Sequence, residues 1–129
     1  YQRPDMDDCI GVGYMSGFDG AASLGNEYIV GKYFIPGTPV PEGMTAKKIR
    51  AGMVAKAQIG GRNFDEILSG AYVLMEDMVC KNGYTLDYEG FYWTEVYTCS
   101  RFCEPLERGA EQIICDWYMP CGRNEASAR

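Results

Sequence analysis

The sequence predicts an α+β domain made of strands and one long helix, and three observations carry that expectation. Residues 63–82 hold apolar side chains at helical spacing. Shorter segments on either side are rich in β-branched and aromatic residues and are fenced off by Gly and Pro. Hydrophobic residues make up 47% of the 129 and charged residues 23%, the balance of a chain that folds as one domain around a core. With 10 Tyr, 5 Phe and 2 Trp, the chain can bury far more area than a disordered one.

In chain order, Cys9 to Met15 reads as a strand, and Gly17, Gly20 and Gly25 mark a loose connection after it. Glu27 to Phe34 is a second strand. Ile35 to Gly43 contains Pro36, Pro39 and Pro41 and reads as a loop that proline makes stiff. Lys48 to Ala57 is a third strand, ended by Gly60 and Gly61. The helix follows. Its stripe runs through Phe64, Ile67, Leu68, Ala71, Leu74, Met75, Met78 and Val79, a pattern of core packing rather than of a cofactor box. Asn63 stands at the N-cap with Glu66 three residues on, a capping-box pattern, and Asp65 and Glu66 suit the positive end of the helix dipole. Lys81, Asn82 and Gly83 supply a basic last turn and a left-handed terminator. Gly90 to Thr98 and Glu111 to Met119 are the last two strands, the latter closed by Pro120, with a polar loop from Ser100 to Ala110 between them. The polar tail from Gly122 to Arg129 is expected to fray.

Charge and composition narrow the function. Lys and Arg number 12 against 18 Asp and Glu, a net charge of −6, so the surface repels phosphates and no direct nucleic-acid contact is expected. The chain has no His, which excludes imidazole bases, Ser-His-Asp triads and His-ligated metals. No segment approaches the ~18 apolar residues of a membrane helix, and residues 1–8 carry no signal-peptide pattern, so the cytoplasm is the expected address. Cys9, Cys80, Cys99, Cys103, Cys115 and Cys121 could form a disulfide framework. A chain of this length holds a core without staples, however, and Cys80, Cys99 and Cys115 fall in or beside periodic apolar segments, so reduced thiols are expected. Cys99 and Cys103 with Cys115 and Cys121 depart from the tight C-x2-C spacing of structural zinc sites; neither a metal nor a cofactor is expected.

One strand carries the candidate chemistry. Side chains alternate faces along a strand, so Phe91, Trp93, Glu95 and Tyr97 share one face of residues 91–97 and Tyr92, Thr94 and Val96 the other. A carboxylate in register with three aromatics either faces water, pairs with a base such as Lys56, or waits in a cavity for a cation. Burying it unpaired costs several kcal/mol, whereas each ring can offer a cation about 0.5–2 kcal/mol. Residue types alone favour the wet face, because Glu is mostly exposed.

A run of short motifs changes that balance. Pro41-Glu42-Gly43-Met44, Ile49-Arg50-Ala51-Gly52, the helix ending in Asn82-Gly83-Tyr84, Glu95-Val96-Tyr97 and Asp116-Trp117-Tyr118-Met119-Pro120 occur in this order. In this the chain resembles the GyrI-like small-molecule-binding domain, also found as the effector-binding part of AraC- and MerR-type multidrug regulators. The likeness spans residues 9–121 and is clearest from Pro41 onward, with residues 122–129 a polar tail.

The resemblance implies an antiparallel sheet of two related halves, curved around an aromatic-lined cavity, in which a late-strand glutamate meets a lipophilic cation. By position that glutamate is Glu95, with Tyr97, Trp93 and Phe91 on its face; Tyr14 and Tyr33 are further wall residues, and Trp117 or Tyr118 joins from the last strand, the two pointing opposite ways. The implied function is a drug-sensing or sequestering module; the same residues would serve an enzyme, and the weight of relatives favours binding. The alternative is a hydrolase of cyclopropane-containing DNA-alkylating natural products, with Glu95 as general base and Tyr97 as proton donor. The chain departs from the family where the first half should open with a strand and a helix. Either an upstream segment supplies that wall, or the wall is open or supplied by a partner chain, such as a second copy. DNA binding, where the parent protein has it, is expected outside these residues, as in an upstream module.

Overall fold

The computed structural model describes residues 8–16, 27–87 and 92–123. It is α+β: strands β1 (Cys9–Ser16), β2 (Glu27–Gly31) and β3 (Val54–Gly61), helix α1 (Phe64–Lys81), strands β4 (Tyr84–Leu86) and β5 (Tyr92–Thr98), a short helix α2 (Glu104–Glu107), and strand β6 (Ile113–Arg123). They form one open, fully antiparallel sheet in the order β2-β1-β5-β6-β3, with β4 pairing the far end of β6. Helix α1 packs chiefly on β3, β4 and β6.

The helix forms where its pattern places it. Asn63 caps it by accepting the Glu66 N–H at 2.9 Å. The reciprocal arm of the capping box is shifted by one residue, for Glu66 Oε2 accepts from the backbone and side chain of Arg62. Gly83 terminates it at φ 83°, a left-handed conformation that glycine adopts without a Cβ penalty. Ile67, Ala71, Met75 and Val79 bury their side chains against the sheet, whereas Leu68, Leu74 and Met78 of the same stripe stay half exposed. The apolar stripe is wider than the sheet beneath it.

Several strand boundaries differ from the sequence reading. Strand β2 ends at Gly31 instead of Phe34, three residues short. Strand β3 starts at Val54, not Lys48: its register with β6 opens at the Val54–Pro120 pair, and just before it the Met53 carbonyl takes the Cys121 N–H at 3.0 Å. β3 also continues through Gly60 and Gly61 instead of ending there. A Cβ on Gly61 would lie 2.9 Å from Ile67 Cγ1, so this glycine lets the first turns of α1 lie close on the strand. Strand β6 passes through Pro120 to Arg123, absorbing Gly122 from the expected tail. Proline is tolerated because the Pro120 carbonyl points toward β4, where it accepts the Asp87 N–H at 2.9 Å, so the missing donor falls where β5 gives way to β4 as neighbour.

The expected polar loop from Ser100 to Ala110 is largely helical. Cys99–Cys103 form a π-helical turn capped by Thr98, whose Oγ1 accepts the Arg101 N–H at 3.3 Å, and α2 follows with Pro105 in its first turn. Arg101 forks onto Asp116 of β6 through Nε at 2.9 Å and Nη2 at 2.7 Å, and Phe102 drops into the core. This bidentate pair pins the turn to the sheet.

Candidate functional site

The sheet has two faces with different chemistry. On the α1 face the register sets Gly13 opposite Glu95 and Glu95 opposite Trp117. Trp93 and Tyr97 follow Glu95 by strand parity, and they join the core cluster that includes Trp117 and Phe102.

Glu95 is 2% exposed. The wet-face alternative therefore falls, and so does pairing with Lys56, whose ammonium lies 4.8 Å from the centre of the Tyr118 ring on the other face. Two phenols hold the carboxylate: Tyr28 donates to Oε2 at 3.0 Å and Tyr97 to Oε1 at 3.3 Å. Among the described residues no Lys or Arg forms an ion pair with it. Burial pushes its pKa above the usual carboxylate value, a rise tempered by the two hydroxyl donors. Burial and the neighbouring carboxylate raise Tyr97 far above an ordinary phenol, and Tyr28 rises for the same two reasons. Both tyrosines are thereby kept as donors.

Gly13 makes this arrangement possible. A Cβ there would collide with the Tyr28 hydroxyl and stand 2.8 Å from Glu95 Oε2. Tyr28, on edge strand β2 and 47% exposed, reaches across that bare stretch of backbone to the carboxylate. Around the pair the rings interlock: Trp93 lies 5.9 Å from Trp117, and Tyr97 meets Phe102 edge-on at 4.8 Å and Phe64 at 6.0 Å. Trp117 Nε1 is buried and meets no acceptor among the described residues.

The structure thus brings Glu95, Tyr97, Trp93 and Trp117 together and resolves the parity of the last strand in favour of Trp117. Tyr14 and Tyr33 stand on the opposite face. Tyr14 pairs in register with Thr94 and stacks 5.2 Å from Tyr92, and the Tyr33 hydroxyl meets Thr94 Oγ1. Burial there pushes the Tyr33 phenol up to about 12. The strand parity of Tyr14 and the contact of Tyr33 with Thr94 are the reasons they cannot join Glu95 in one wall. Phe91 lies outside the described residues. Tyr28 and Gly13 are the two site residues that the sequence reading missed. The available signal was Gly11-Val12-Gly13 inside a strand, since strand glycines mark places where another group approaches the backbone closely.

A cavity of about 400 Å³ lies elsewhere, between β3, the C-terminal half of α1 and β4, and none of the predicted site residues lines it. No disulfide joins the six cysteines, and no group of three or more Cys, Asp or Glu among the described residues could hold a metal ion. Among the described residues no helix is long and apolar enough to cross a membrane. No family model, curated protein or solved structure matches the chain significantly.

Proposed function

We propose that this chain is a binding module for amphipathic cations, of the GyrI-like kind, with Glu95 as the group that meets the positive charge. The observation that carries the reading is a carboxylate 2% exposed, ringed by Trp93, Tyr97 and Trp117, with phenols as its hydrogen-bond donors and no cationic partner among the described residues. Such a group costs stability unless a cation completes it. The ligand would approach from the β1–β2 side, away from the strands on which α1 chiefly packs and where Tyr28 is half exposed, and would take over the place of the Tyr28 hydroxyl. The hydrolase reading fits less well. A general base must take a proton from water, yet both Glu95 oxygens already accept from tyrosines and the burial leaves little room for solvent.

The test compares tetraphenylphosphonium with a neutral tetraphenyl analogue by calorimetry, on the wild type and on Glu95→Gln. One charge pair at ~4 Å and an effective dielectric of about 20 gives roughly 4 kcal/mol before desolvation. A net preference of about five- to thirtyfold for the cation is expected, and Glu95→Gln should abolish it. Equal affinities in the wild type would remove charge recognition from the reading.

A further inference from the structure

The cavity beside α1 has a cause in the sequence. At the N-terminal end of the helix, Gly61 admits Ile67 against the strand. At the other end the helix-facing residues of β3 are Ala55 and Ala57, too small to fill the same gap, and a wedge of about 400 Å³ opens between strand and helix. Its walls are largely apolar and rich in sulfur: Met53 and Met78 form half-exposed lips, Met75 is buried within, and Cys121 of β6 and Tyr84 of β4 complete the lining. Burial raises the Cys121 thiol, so it is neutral at physiological pH. No Asp or Glu lines the space.

We propose that this wedge is a second binding site, separate from Glu95, for an uncharged aromatic molecule of modest size. The volume falls within the roughly 300–1,000 Å³ of small-molecule sites, and an apolar wall with a few polar groups is their usual make-up. Here the polar residues along the wall are Lys56, Asn82 and Tyr84. Charge sorts the two sites: without a carboxylate in its wall, the wedge offers a cation nothing to offset dehydration. Methionine selects further, because thioethers favour ring edges and unbranched side chains adapt to a flat guest.

N-phenyl-1-naphthylamine, uncharged and fluorescent in apolar surroundings, is the probe. The wild type should give a saturable 1:1 enhancement with Kd below about 200 µM, the level expected for a ligand of its size. Ala57→Leu, which fills the floor, should weaken binding at least tenfold. Met78→Trp, which closes the mouth from the exposed side of α1 and leaves the core untouched, should do the same if Ala57→Leu fails to fold. Glu95→Gln should leave probe affinity unchanged, so failure of the cation reading and failure of this one are distinguishable. Non-saturable enhancement, undiminished binding in folded Ala57→Leu or Met78→Trp, or loss of binding in Glu95→Gln would each overturn the proposal.

Discussion

Replacing Gly13 by Ala is the sharpest test of how the Glu95 site is built. Gly13 is not among the glycines at positive φ, so the backbone itself accepts alanine, and the smaller entropy of the unfolded chain would by itself favour the mutant by about 0.4–1 kcal/mol. The surroundings argue the other way. The new methyl would collide with the Tyr28 hydroxyl and stand 2.8 Å from Glu95 Oε2 and 2.9 Å from Tyr28 Cζ. Tyr28 must swing outward, and the carboxylate loses one of its two donors. A hydrogen bond to a charged group contributes about 1.5–3 kcal/mol, of which part returns because the displaced phenol, already half exposed, regains water. The expected net effect is a loss of about 1–2 kcal/mol, read by urea unfolding at pH 7. In a Tyr28→Ala background the collision with the phenol disappears, so the same Gly13→Ala change should cost about 1 kcal/mol less. An unfolding midpoint equal to or above that of the wild type, or an equal cost in both backgrounds, would refute the reasoning.

Three further outcomes follow from the same geometry. The pKa of Glu95 is raised in the fold, so its contribution is fully present below the ordinary carboxylate value of 4.5 and is lost as pH rises through the raised one; wild type should lose stability relative to Glu95→Gln across that window, while cation affinity rises with release of a proton, measurable by calorimetry in buffers of different ionisation enthalpy. Asp116→Ala should cost about 1–3 kcal/mol in chemical unfolding, because it strands the Arg101 guanidinium; the figure stays below that of a fully buried pair because Arg101 keeps 34% of its side chain in water. Asn63→Ala removes the cap of α1 and should cost about 1 kcal/mol, with a matching drop in Tm.

What the sequence made legible was whatever depends on near neighbours. The helix could be placed within a residue because its stripe, cap and terminator all lie inside the segment. Parity along β5 likewise put Trp93, Glu95 and Tyr97 on one face without knowledge of the rest of the fold. Strand ends depended on partners distant in sequence. Val54 opens β3 because Pro120 is there to pair with it, and three-residue β4 exists because β6 outruns β5. The turn at Cys99–Cys103 was hidden for a related reason: its anchor, Asp116, comes fifteen residues after Arg101. Tyr14 and Tyr33 could not be assigned a face from residue types, since their orientation follows from how β1 meets β5 and from the Tyr33 contact with Thr94.

Glu95 itself is the place where local and global demands conflict, and the conflict bears on function. Trp93, Tyr97 and Trp117 share its face of the sheet and its core, where a leucine would pack without desolvation cost. The two phenols reduce that cost without removing it, because the direction of the Glu95 shift is still upward. A residue that stability alone would replace, set above a glycine that close packing of Tyr28 requires, is the arrangement expected where a site trades stability for recognition. Glu95→Leu tests the trade directly. The variant should unfold at higher denaturant than the wild type and should bind tetraphenylphosphonium no better than its neutral analogue. A less stable Glu95→Leu would instead make the carboxylate a structural member of the Tyr28–Tyr97 network, held in place by its hydrogen bonds and not by a ligand.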